Sequence, residues 1–268
     1  ERGNAIIALG GGMVGDLAGF VAATFLRGVS VVQVPTSLVA MVDAAVGGKT
    51  AVNLPVGKNL VGAFHQPRAV LADLGTLRTL PPRELTSGWA EAIKHGLILD
   101  ASLLQLFEES GDALMALEPE VTTEVIRRSM AIKAGIVEED ERETKGRRTL
   151  LNYGHTIGHA LEATTGYSHL LHGEAVSAGM VAAAEISHGM GLLPREAVER
   201  QSRLLRRFGL PTSFPGGATQ DILKAVELDK KVTSRAVNWV LLEGIGQATL
   251  RSDVPRELVR SVVDALCK

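Results

Sequence analysis

The sequence predicts an α/β segment followed by a mainly helical one. Three observations carry this. The apolar runs 5–9, 29–35 and 69–73 are short and bounded by glycine, proline or polar residues, as buried parallel strands are. Pro81-Pro82 then breaks the pattern and marks the boundary between residues 1–80 and residues 81–268. Beyond it the long segments read as helices.

Composition bounds the function. The chain has 268 residues, 46% of them hydrophobic, enough for two domains with real cores. Its formal charge of −2 gives no basic field for nucleic acid. The single cysteine, Cys267, allows no internal disulfide and no thiolate metal site, a pattern of the reducing cytoplasm. No apolar run reaches transmembrane length, and no signal peptide, repeat or low-complexity tract is visible.

In order along the chain, residues 5–9 form a buried strand with no earlier strand to pair with. The expectation is that the chain is the later part of a longer protein. The turn Gly10-Gly11-Gly12-Met13-Val14-Gly15-Asp16 leads into a helix of small residues, 17–25. Strand, glycine turn and helix let backbone N–H groups approach a phosphate. The spacing is neither G-x-G-x-x-G nor a P-loop, so a plain tight turn stands equally. A second strand, 29–35, precedes Thr36-Ser37. Asp43, Lys49, Asn53, Lys58 and Asn59 then fall on glycine-bounded loops. They clamp an anionic, polyhydroxylated ligand, or they are ordinary surface groups. A third strand covers 69–73.

Past the proline pair, Ser87 is a plausible N-cap for a helix carrying Glu91 and Lys94, neighbours at i, i+3 and by default an exposed ion pair. A long helix covers 119–138 and carries Arg127, Arg128 and Lys133. The charge run 138–143 reads as a solvated face. An amphipathic helix at 194–208, a hairpin at 237–250 and a closing helix at 254–266 complete the chain.

Four of the seven histidines, His155, His159, His169 and His172, lie close together. His155 and His159 are four apart and share a helix face. His172 opens the apolar helix 175–186. Such histidines suit one divalent metal; equally they are a satisfied core pair and a helix cap.

The ordered motifs GGGMVGD, PTSLVAMVDAAVGGKTAVN, GKN, GWAEAIKHG, DERE, LNYGHTIGHALE and LHGEAV together resemble the 3-dehydroquinate synthase family. The likeness runs from about residue 4 to the end. It implies a Rossmann-like NAD-binding domain, here N-terminally incomplete, then a mainly helical metal- and substrate-binding domain, with the active site between them. The family's usual chain has a further strand-rich third before the glycine turn.

The resemblance also implies roles. Glu91, His155 and His172 would hold zinc or cobalt, leaving His159 to bond substrate or move protons. Lys94, Lys133, Glu143 and Asn152 would join His159 in catalysis. Arg27, Asp43, Lys49, Lys58, Asn59, Arg148 and Lys230 or Lys231 would line the substrate pocket. Gly11, Gly12, Met13, Asp16, Thr36, Ser37, Asp43, Lys49, Lys58 and the turn Thr76, Leu77, Arg78, Thr79 would contact NAD. One extra residue between Glu143 and His155, placed at Thr144-Lys145, leaves Arg147 and Arg148 as alternatives.

The implied reaction turns 3-deoxy-D-arabino-heptulosonate 7-phosphate into 3-dehydroquinate and phosphate by a cytoplasmic homodimer. Three alternatives stand beside it: another sugar phosphate cyclase, a metal-dependent alcohol or glycerol dehydrogenase, and an inactive fragment. Asn152 together with His159 favours the dehydroquinate reaction.

Overall fold

The computed structural model describes residues 3–54, 57–167, 169–233 and 237–268, and for residues 57–58 and 229–233 the backbone alone. The chain forms two compact units, Glu1–Gly88 with Ala113–Arg147 and Trp89–Asp112 with Arg148–Lys268. An α/β segment followed by a mainly helical one is what the structure shows.

In the first unit, strand β1 (Ala5–Gly10) feeds helix α1 (Gly12–Thr24) and then strand β2 (Ser30–Pro35). The strands pair in parallel from Ala5 opposite Ser30 to Gly10 opposite Pro35. Ala8 and Val31 bury one face of the sheet with Ala22 and Val29, and Ile6 and Ala18 pack against them. The helix begins at Gly12 rather than after Asp16, because Gly15 N–H already donates to the Gly11 carbonyl at 3.1 Å. The glycine turn is therefore largely the first turn of α1.

A π-helical turn, Ala40–Ala44, follows β2 and carries Asp43. The lysine-bearing loops of the sequence reading are a hairpin instead. Strand β3 (Lys49–Leu54) pairs antiparallel with β4 (Gly57–Phe64), so Lys49 opens one strand and Lys58 falls in the other. Glycine, proline and asparagine inside KTAVNLPVGKNLVGAF obscure the period-two alternation that marks a strand. Strand β5 (Ala69–Val70) pairs with β2, in the order β1-β2-β5. It stops at two residues, shorter than expected, since Asp73 turns to accept a hydrogen bond from Gly75 N–H at 2.8 Å and caps a 3-10 turn, Leu74–Thr79.

Helices α2 (Pro82–Leu99), α3 (Ala101–Glu109), α4 (Gly111–Met115) and α5 (Pro119–Glu139) follow. Helix α2 starts at Pro82, so Ser87 is a buried interior residue and not its N-cap. Proline suits a first helical turn, where its missing N–H has no partner to lose. Helix α5 belongs to the first unit and lies against the π-helical turn.

The second unit contains α6 (His155–Thr164), α7 (His172–Gly189), α8 (Arg195–Arg207), α9 (Thr219–Thr233), the antiparallel pair β6 (Trp239–Gly244) and β7 (Gln247–Arg251), and α10 (Arg256–Leu266). Trp89, Phe107 and Phe208 meet edge to face, with centroids 5.5 to 5.9 Å apart. The buried Tyr153 hydroxyl donates to Gln201 Oε1 at 2.8 Å, which satisfies it. Among the described residues, no helix is long and apolar enough to cross a membrane.

Candidate functional site

In the second unit the site is built on a close contact between α6 and α7. Gly154, the N-cap of α6, adopts φ +83°, and a Cβ there would lie 2.6 Å from Met180 Cγ and 2.8 Å from the Val176 carbonyl. A Cβ on Gly179 would overlap the Gly154 carbonyl oxygen. Only glycine permits both the left-handed backbone and this approach. As a result His155, the first residue of α6, and His172, the first of α7, face each other with ring centroids 5.4 Å apart.

Glu91 comes to them from α2, among Trp89, Ala90, Ala92 and Ile93, all buried. Glu91 is 0% exposed and Lys94 1%, so the pair is a buried one, not the exposed pair its spacing suggested. Lys94 Nζ is bonded to Glu91 Oε2. Glu91 Oε1 accepts no hydrogen bond. It faces His172 Nε2 at 3.3 Å and His155 Nε2 at 3.5 Å.

These distances test whether the residues fit a metal. Zinc–ligand bonds of about 2.0–2.1 Å put tetrahedral ligand atoms roughly 3.3–3.4 Å apart. The two measured separations match those edges, and all three donor atoms lie within 4.8 Å of one another. His155 Nδ1 donates to the Tyr153 carbonyl at 3.2 Å, which leaves its Nε2 lone pair toward Glu91. A buried orphan carboxylate oxygen opposite two imidazole nitrogens is the donor set of a divalent cation, and the residues fit one.

The electrostatics agree. Burial favours neutral Glu91, but the Lys94 ammonium and both histidines hold its carboxyl well below the usual range. Burial, helped by Lys94, holds His155 well below its ordinary value, so its imidazole is neutral. Burial would also lower His172, yet Glu162 and Glu91 raise it to about 10. Glu162 is the functional candidate that the sequence reading missed. Its signal was there: His155, His159 and Glu162 stand at i, i+4 and i+7, on one helix face.

His159 lies one turn beyond His155, exposed, with ring centroids 5.2 Å apart. His169 is exposed and belongs to none of the His/Cys/Asp/Glu clusters found among the described residues. Arg148 is 2% exposed, on the 3-10 turn Arg148–Asn152, whose last residue Asn152 is exposed.

In the first unit a second group forms around Lys133. Its ammonium bonds both the carbonyl and Oδ1 of Asp43, the latter at 2.7 Å. Asp16, on the first turns of α1, feels this pair; burial first, and Asp43 behind it, push its carboxyl up to about 6 against the pull of Lys133. Beside it, Thr36 N–H donates to the Gly10 carbonyl at 2.9 Å, and Ser37 lies next to Gly11. The glycine turn, Thr36, Ser37, Asp16, Asp43 and Lys133 thus share one end of the sheet.

The other expected residues have the following surroundings. Lys49 pairs with Glu143 at 2.7 Å. Asn59 takes φ +57° and donates its N–H to Asn53 Oδ1 at 3.2 Å. Met13 is exposed at 72%. Thr76 and Thr79 bond back to their own 3-10 turn, Leu77 is buried and Arg78 exposed. Arg27 lies past the far end of α1, which at about 1.5 Å per residue is roughly 20 Å from the glycine turn. Arg147 is exposed and pairs with Glu139 at 2.7 Å. The side chains of Lys58, Lys230 and Lys231 lie outside the described residues.

Comparison with known proteins agrees with this picture. The family model described as 3-dehydroquinate synthase N-terminal matches residues 1–87, and its C-terminal counterpart matches residues 88–232. A 3-dehydroquinate synthase from Nostoc punctiforme is 51% identical over 99% of this chain and 74% of its own length. Among solved structures, the 2-epi-5-epi-valiolone synthase of Streptomyces hygroscopicus subsp. jinggangensis, with NAD+ and Zn2+ bound, has a TM-score of 0.91 at 31% identity. It covers 98% of this chain and 73% of its own. A 2-deoxy-scyllo-inosose synthase complexed with carbaglucose-6-phosphate, NAD+ and Co2+ has a TM-score of 0.84 at 31% identity, covering 98% and 74%. With both halves matched in order and half the residues identical to a curated relative, the chain belongs to the 3-dehydroquinate synthase family.

Proposed function

We propose that this chain is a 3-dehydroquinate synthase, converting 3-deoxy-D-arabino-heptulosonate 7-phosphate into 3-dehydroquinate and phosphate. The observation that carries it is the Glu91, His155, His172 donor set around an orphan carboxylate oxygen, in a chain half identical to synthases of that name. A bound zinc or cobalt ion would supply Lewis-acid polarisation of substrate hydroxyls, and NAD a hydride acceptor that returns what it takes. Oxidation of one ring carbon would acidify the adjacent C–H, so that phosphate could leave by β-elimination; re-reduction of the carbonyl and opening of the sugar ring would then free the ketone for an intramolecular aldol closure of the carbocycle.

The residues divide the remaining work. Lys94 holds Glu91 ionised without competing for Oε1. His159, exposed and one turn from the ligand set, moves protons or bonds substrate. Asn152, Glu143 and Lys133 act with it. Arg27, Asp43, Lys49, Lys58, Asn59, Arg148 and Lys231 answer the substrate's carboxylate, phosphate and hydroxyls; arginine and lysine suit its two anionic groups. Gly11, Gly12, Met13, Asp16, Thr36, Ser37 and Thr76 to Thr79 serve NAD, with Asp43, Lys49 and Lys58. We assign residues 1–80 to the NAD-binding domain and 81–268 to the metal- and substrate-binding domain, with residues 113–147 of the latter folding into the first compact unit. The enzyme works as a cytoplasmic homodimer.

The second reading is a sibling cyclase acting on another sugar phosphate, favoured by the 0.91 TM-score to a valiolone synthase. Phosphate release decides between them. The chain is incubated with NAD+, zinc and, separately, several sugar phosphates. Release from the heptulosonate 7-phosphate without net NADH is the expected result. Release only from a different sugar phosphate moves the chain to the siblings. Accumulating NADH without phosphate marks a dehydrogenase, and silence overturns the activity for this chain.

A further inference from the structure

The α6 face that presents His155 and His159 also presents Glu162, one further turn on. Its side chain is 10% exposed, and its Oε1 lies 3.5 Å from His172 Nδ1. The other ring nitrogen of His172, Nε2, lies 3.3 Å from Glu91 Oε1. The imidazole is therefore engaged at both ends, by Glu162 on one side and by the candidate metal position on the other.

A neutral imidazole carries one N–H and one lone pair. An ionised carboxylate only accepts, so Glu162 draws the N–H to Nδ1 and leaves the lone pair on Nε2, toward Glu91 Oε1 and His155. We propose that Glu162 is a positioning residue that fixes the tautomer and ring orientation of His172 and thereby sets the affinity of the site for its metal. This rests on the metal reading above. His155 has the neutral counterpart of the same device, its Nδ1 donating to the Tyr153 carbonyl at 3.2 Å. Both ligand histidines are thus anchored at Nδ1, and the one anchored by a carboxylate is the stronger donor.

The competing arrangement uses the same residues differently. The donor atoms of His159, Glu162 and His172 also lie within 4.8 Å of one another. A cation held there would need the Nδ1 lone pair, which one neutral imidazole does not offer while its N–H stays on that nitrogen.

Three measurements test the proposal: zinc affinity by competition with a chromophoric chelator, the melting temperature of the zinc-free chain, and imidazole 15N shifts of the zinc-loaded parent. Glu162→Gln should weaken zinc binding by about 10–100-fold. The 15N shifts should show His172 metallated at Nε2 and protonated at Nδ1. Unchanged zinc affinity in Glu162→Gln overturns the proposal, as does metallation at Nδ1. A merely structural role would lower the zinc-free melting temperature and leave the affinity of the folded chain alone, which also overturns it. Where Glu162→Gln does not fold, Glu162→Asp, which keeps the charge and withdraws it by one methylene, should weaken binding in the same direction; parental affinity there counts against the proposal. Glu91→Gln is measured in parallel. If it keeps parental affinity, the metal reading itself fails; if it loses zinc and Glu162→Gln does not, only the positioning role fails.

Discussion

Lys94→Met is the sharpest perturbation of this site. Methionine matches the lysine stem in bulk but removes the ammonium. Glu91 is 0% exposed; Lys94 Nζ donates to its Oε2, while its Oε1 has no hydrogen-bond partner. Without Lys94, Oε2 of a buried carboxylate loses its ammonium donor, and neither oxygen then accepts a hydrogen bond. Breaking a buried ion pair from one side costs about 3–5 kcal/mol. At roughly 2–4 °C per kcal/mol for a chain of this size, the zinc-free chain should melt about 6–20 °C lower. Two controls separate charge from packing. The double variant Glu91→Gln/Lys94→Met carries no charge at either position and should melt above Lys94→Met alone. Saturating zinc, which answers the same carboxylate, should close part of the gap for Lys94→Met and none of it for the double variant. The assay is calorimetric melting in chelator and in zinc. A loss of less than about 1 kcal/mol in chelator would refute the reasoning, since that is the value of an exposed pair.

Four further outcomes follow from the geometry. His172→Ala should leave the chain folded but abolish the stabilisation of about 2.7 kcal/mol that zinc at a hundredfold excess over its Kd confers on the parent, read as a melting shift. His159→Ala should keep zinc affinity within a few fold while lowering turnover by about 10²–10⁴-fold, in a phosphate-release assay. Gly154→Ala must place a Cβ at φ +83° and against Met180 and Val176, so left-handed strain and overpacking together should cost about 2–5 kcal/mol and weaken zinc binding by displacing His155. Asp16→Asn should change stability with pH. Its carboxyl is raised from 3.8 to about 6 in the fold, so the folded state keeps its proton between those values, and that stability is lost as pH rises through 6. The full shift corresponds to about 3 kcal/mol, and solvent screening of a half-buried group brings it to about 1 kcal/mol. The variant should therefore melt higher than the parent at pH 8 and level with it at pH 4, in parallel melts.

The histidine motif was legible because it is local. Helical spacing puts His155 and His159 on one face, and an apolar run announces α7 behind His172. What joined Glu91 to them was not legible from spacing, since residues 91 and 155 meet only through tertiary packing. The pair Glu91 and Lys94 shows why. At i, i+3 they read as an exposed pair, and the burial that reverses this comes from α2 being enclosed on all sides: residues 87–98 are all buried. A carboxylate carried into such surroundings needs cations on both oxygens. Lys94 answers one, from the same helix and visible in the sequence. The other is left facing two imidazoles from other helices. The hairpin β3–β4 was hidden for a different reason. Gly62 in β4 lies against the backbone of Thr50 and Ala51 in β3, so close pairing there requires the residue that strand propensity disfavours. In both places the local rule failed where another segment comes closer than an ordinary side chain allows, or brings a charge that no neighbour in sequence supplies. At Glu91 that failure marks the site itself, because an oxygen with no partner in the chain is the one a cation would complete.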